Sequence, residues 1–233
     1  MLSRRVGGLA GLSFIAIVVS VNIILGATGM PRPGASASEV QTYFADHGDV
    51  VAFVCALATF VWLCLGVFGA GLVARLRQED AARVESWPLL GLGGVIMQNC
   101  LFAGVVATQG ILATATLSDD SRWLVWQLHN ALFALNGTSL AIILLSFSVA
   151  GVRSGLIRRW HAGVGLTAAV VLQASSLTMP WHEENEAVAS FGLLGFVLWL
   201  VWVATYSLVL LRGTPATGAT SAERRTDPAL ATA

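Results

Sequence analysis

VVAFVCALATFVWLCLGVFGAGLVA, residues 50–74, decides the fold. It runs for 25 residues without a charged side chain. A helix rises ~1.5 Å per residue, so about 20 residues cross the ~30 Å hydrocarbon core of a bilayer. Five more uncharged runs flank this one, at 6–31, 86–118, 123–152, 160–182 and 187–211, and each is long enough to do the same. In lipid, a backbone with short connections satisfies its polar groups only as helix. The expected spans are 6–29, 49–74, 88–113, 123–151, 160–180 and 188–211, some of them tilted. The fold class is therefore all-α, a polytopic six-transmembrane-helix bundle. One domain is expected over 1–212, followed by a disordered tail, 213–233, whose Thr, Ala, Ser and Pro cannot bury apolar surface.

Composition agrees. Of 233 residues, 56% are hydrophobic and 11% charged, against ~45–50% and ~25% in a soluble domain. Mean hydropathy is +0.75. A soluble enzyme, a disordered protein and a secreted disulfide scaffold are excluded. All 13 basic residues are Arg, which rules out Schiff-base lysines and the phosphate-loop lysine. Net charge is zero, so nothing favours nucleic acid; the partner composition demands is the lipid bilayer.

Arginine placement orients the bundle. Arg4, Arg5, Arg75, Arg77, Arg83, Arg153, Arg158, Arg159, Arg212, Arg224 and Arg225 fall on one side, and only Arg32 and Arg122 on the other. The first side is expected to be cytoplasmic, with both termini, in a bacterial plasma (inner) membrane. The outer side carries Glu39, Asp46, Asp49, Asp119, Asp120, Glu183, Glu184 and Glu186. Arg4-Arg5, an apolar run and Ala35-Ser36-Ala37 imitate a cleaved signal peptide. The run of ~20 residues exceeds the usual 7–15, so the first helix is read as uncleaved.

In the first outer loop, Ser36 and Glu39 have capping-box spacing, and Val40, Tyr43 and Phe44 share one helical face. A short amphipathic helix is expected there, on the interface or running into span 2. Trp87, Trp123, Trp126, Trp160 and Trp181 fall at span ends and read as an interfacial belt; Trp62, Trp199 and Trp202 read as packing. Cys55, Cys64 and Cys100 lie within spans, without a C-x-x-C pair.

Polar residues inside spans are the candidates for function, because lipid drives them to the bundle interior or a watered cavity. His129, Asn130, Asn136, Gln109, Gln173 and Asn22 cluster in outer halves, with Asp49 and Glu183 at helix ends. They are expected to line an outward polar cavity or to join helices as hydrogen-bonding glue. The inner halves read as almost free of strongly polar side chains, and His161 as a snorkelling residue at the inner interface. No spacing supports a metal site or another cofactor, and no catalytic residue can be assigned.

Ser-x-Ser-Glu-Val-x-x-Tyr-Phe-Ala over 36–45, the Leu72–Arg77 span end and Gly155-Leu156-Ile157-Arg158-Arg159-Trp160 resemble a broad group of actinobacterial six-span membrane proteins of the DUF4386-like kind. The resemblance covers about 6–212. It implies a fold and no activity.

The leading functional expectation is binding of a hydrophobic small molecule or lipid in the outward cavity, as a binding protein or an accessory subunit to a membrane-protein partner. One alternative is a membrane-embedded enzyme on a lipid-soluble substrate, such as a terpene cyclase, with Asp49 or Glu183 as acid and Trp126 or Phe133 shielding a cation. The other is a small transporter, against which the absence of a midplane charge and of an internal repeat both weigh.

Overall fold

A computed structural model describes residues 4–79, 86–178 and 186–212. Among them are six α-helices and no strand: α1 (Arg4–Ala27), α2 (Ala37–Glu79), α3 (Trp87–Thr114), α4 (Asp119–Arg153), α5 (Arg159–Leu177) and α6 (Glu186–Arg212). All but α5 are long and apolar enough to cross a membrane. The chain is thus a multi-pass helical membrane protein. Glu183, Trp181, His182 and the 213–233 tail lie outside the described residues.

Each helix packs on its neighbours in the chain and α6 returns to α1, closing a ring; α4 also reaches α2. Glycine makes the tightest seams. A Cβ on Gly7 would stand 3.2 Å from the Gly71 Cα, and one on Gly8 would stand 2.8 Å from the Ser207 carbonyl oxygen. Side chains of one hydrogen let α1 lie almost backbone to backbone against α2 and α6, the way helices gain dispersion contact in lipid. The main core gathers Phe14, Phe68, Leu72, Phe147, Trp202 and Tyr206. A second cluster joins Val40, Tyr43, Phe44, Val51, Leu112 and Trp126.

The expected amphipathic segment and span 2 are a single helix of 43 residues, about 65 Å long. Its start is the expected capping box. The Ser36 N–H donates to Glu39 Oε2 at 2.8 Å, and the Glu39 N–H donates to Ser36 Oγ at 3.3 Å. The Ser36 hydroxyl also donates to Glu39 Oε2 at 2.8 Å, and the two bonds to the carboxylate, from the Ser36 backbone first and its hydroxyl second, hold the Glu39 carboxyl below its usual range. Val40, Tyr43 and Phe44 are buried as their spacing predicts, and the Tyr43 hydroxyl meets Thr28 Oγ1 at 2.9 Å.

Two tryptophans mark where the belt expectation holds and fails. Trp160 is exposed, as a belt residue should be. Trp126 is only 1% exposed. The long α2 covers it, with Phe44 against its ring at 6.2 Å and Val51 in the same cluster. Trp199 and Trp202 are buried packing residues, as expected.

Candidate functional site

Buried polar groups fall in three tiers along α4, the most enclosed of the span candidates. We call the end near Arg75, Arg153 and Arg159 the basic end and the other the acidic end.

The tier nearest the acidic end is built on His129. His129 is buried, and its Nδ1 lies 3.2 Å from the Val105 carbonyl oxygen of α3. A carbonyl only accepts, so Nδ1 carries the proton and donates. Thr108 Oγ1 is also 3.2 Å from Nδ1 and itself donates to Val105 O at 2.8 Å. The imidazole stacks between two residues of its own helix, Trp126 at 5.3 Å and 14° and Phe133 at 6.3 Å and 23°.

The middle tier joins α3 to α4. The Ser139 hydroxyl donates to the Asn136 carbonyl at 2.8 Å and lies 3.3 Å from both Asn136 Oδ1 and Gln98 Oε1. Nearby, Asn99 Nδ2 donates to Trp62 O at 3.2 Å, tying α3 to α2. Ser176 Oγ donates to Ala134 O at 2.7 Å, tying α5 to α4.

The third tier, toward the basic end, was not expected. Trp202 Nε1 donates to Ser148 Oγ at 3.0 Å, the Tyr206 hydroxyl to Phe147 O at 2.8 Å, and His161 Nε2 to Trp202 O at 3.1 Å. Strongly polar side chains are few toward the basic end, as expected, but weakly polar groups there are paired with one another and with His161. His161 does not snorkel: it is 1% exposed. α5 begins at Arg159, so His161 sits in its first turn, turned onto the Tyr206 ring at 4.9 Å and not onto the rim. Ser, Trp and Tyr count as weakly polar when a sequence is scanned; only their placement opposite one another marks this tier.

The candidates separate accordingly. His129 and Asn136 reach the α3–α4 seam, and Gln109 is buried with Nε2 3.7 Å from Met30 Sδ. Asn130 and Gln173 are half-buried. Asn22 is exposed and donates to Val18 O of its own helix at 2.8 Å, so it lines nothing. Asp49 is exposed on α2. Glu183 lies outside the described residues.

A depression of about 230 Å³ opens at the acidic end, between the first turns of α2 and α4. Ala37, Ser38, Val40 and Gln41 form one wall, and Asp119, Arg122 and Trp123 the other. None of the sequence candidates lines it. Among the described residues, no group of three or more His, Cys, Asp or Glu is placed to hold a metal ion. Compared with protein-family models, curated proteins and solved structures, the chain matches none.

Proposed function

We propose that the chain is a six-span bacterial plasma-membrane protein with cytoplasmic termini that binds a lipid or small molecule at its outward end, serving as an accessory or binding subunit. The sixth span is α5. Its 19 residues make about 28 Å of helix, close to one bilayer core, and it closes the ring between α4 and α6. The distribution of Arg supports the orientation.

The observation that carries the binding reading is the depression lined by Arg122, Trp123, Gln41 and Ser38. It sits over the aromatic cluster of Phe44 and Trp126 and includes Trp123, a side chain type that favours the head-group layer. A cyclase draws less support: Asp49 and Phe133 are both exposed, away from any enclosed acid–aromatic chamber.

Topology reporters test the frame. Fusions at Arg77, Arg153 and Gly213 should read cytoplasmic, and fusions at Ser36, Ser118 and Glu184 external. An external reading at Gly213 overturns it. Binding is tested by extracting the protein in polymer-bounded native membrane and comparing retained molecules between wild type and Trp123→Ala. Identical profiles count against the site.

A further inference from the structure

We propose that the depression between α2 and α4 takes the zwitterionic head group of an aminophospholipid of the outer leaflet, its phosphate on Arg122 and its primary ammonium on Asp119. This rests on the outward-facing binding reading above and names its ligand.

The wall residues make the case by their charges. Arg122 and Asp119 both line the depression, three residues apart on the first turn of α4, so one positive and one negative group face a common space. Arg122 Nε is buried and has no hydrogen-bond partner among the described residues. Nε itself is closed to the depression, so a ligand there meets the terminal nitrogens of the guanidinium, and a phosphate oxygen is the acceptor such a fork matches best. The opening turn of α2, at Ala37 and Ser38, forms the facing wall at the positive end of a 43-residue helix, where the capping box already takes the Glu39 amide. Ser38 and Gln41 add neutral hydrogen-bonding groups.

Other ligand classes fit less well. An anionic head group alone would meet the Asp119 carboxylate with nothing to neutralise it. A metal ion would find a single carboxylate in the wall. A neutral apolar molecule would leave both charges unanswered. Phosphate joined to a primary ammonium answers both, and Trp123 beside them is the side chain that favours the head-group layer. A depression of about 230 Å³ accommodates the head group; the acyl chains stay in the bilayer.

The test is native mass spectrometry of the purified full chain in detergent, offered equal concentrations of phosphatidylethanolamine, phosphatidylcholine and phosphatidylglycerol with the same acyl chains. Wild type should retain phosphatidylethanolamine over phosphatidylglycerol by roughly fivefold, the scale of one partly shielded ion pair. Phosphatidylcholine, whose quaternary nitrogen donates no hydrogen bond, should fall well below phosphatidylethanolamine. Asp119→Asn should erase the preference over phosphatidylglycerol without reducing phosphatidylglycerol binding. Arg122→Gln should weaken all three. If wild type holds phosphatidylglycerol as well as phosphatidylethanolamine, and Arg122→Gln abolishes both, the zwitterion assignment fails while the lipid-site reading stands. If no lipid depends on Arg122, both fail. Melting curves of each variant establish that it is folded.

Discussion

Thr108 on α3 and His129 on α4 meet at 3.2 Å and share one acceptor, the Val105 carbonyl oxygen, which the hydroxyl reaches at 2.8 Å and the ring nitrogen at 3.2 Å. The imidazole is thereby fixed as the Nδ1–H tautomer, clamped against Trp126 and Phe133. Its arrangement is that of a seam residue: the hydrogen-bonding atom faces the neighbouring helix.

His129→Gln should therefore keep the fold, because an amide N–H can replace Nδ1–H. His129→Leu should lower stability by about 1 kcal/mol, the net worth of one such bond. Thermal melting in detergent separates the two; equal melting temperatures for Leu and wild type would show the bond to be idle.

Two glycines of α5 offer a matched pair. A Cβ on Gly165 would run into Ser148 Oγ and Trp202 Nε1, whose bond anchors the third tier, whereas a Cβ on Gly163 meets nothing within 4 Å. Gly165→Ala should cost about 1–3 kcal/mol through overpacking. Gly163→Ala should be neutral or slightly stabilising, since alanine is the better helix former. Melting temperatures that fall equally for both would contradict the packing of α5 on α4 and α6.

Impermeant thiol labelling distinguishes the surface depression from a deep watered cavity. In a background with Cys55, Cys64 and Cys100 replaced, cysteine at Ser38 or Asp119 should label in intact cells, since both positions are exposed. Cysteine at Asn136, which is 6% exposed in the α3–α4 seam, should stay protected. Rapid labelling at Asn136 would restore the deep cavity.

Glu39 gives a pH signature. Its folded carboxyl titrates below the ordinary value because Ser36 donates to its charged form. A depressed folded value means the cap's contribution is present above the unfolded carboxyl range and is lost as pH falls through the depressed value. The melting difference between wild type and Glu39→Gln should be present at neutral pH and vanish once the pH falls below the depressed folded value. A difference that persists in acid would assign it to something other than the charge.

The sequence and the structure part at identifiable places. Charge-free runs announced the long helices, and the Ser36–Glu39 spacing announced the start of α2, because both signals are local. Which side of a span faces inward was far less legible. Lipid-facing and core-facing residues are both apolar in a membrane bundle, so periodicity carries little contrast. Asn22 thus looked like a lining residue although it is exposed and bonds back to the Val18 carbonyl of its own helix, and Trp126 looked like a belt residue although α2 buries it. The Ser148–Trp202–His161 tier depends on α4, α5 and α6 meeting, a relation between segments more than 40 residues apart for Trp202 and either partner.

The closed ring has a consequence for biosynthesis. The face of α1 that carries Gly8, Gly11 and Phe14 rests on Ser207, Leu211 and Trp199 of α6, with the Phe14 and Trp199 rings 5.1 Å apart. Of the six helices, α1 leaves the ribosome first and α6 last. Throughout translation the earliest helix therefore waits in the membrane with an unfilled notch, held by α2 alone. A chain stalled before α6 leaves that notch open, so the packing of the first helix is completed only by the last.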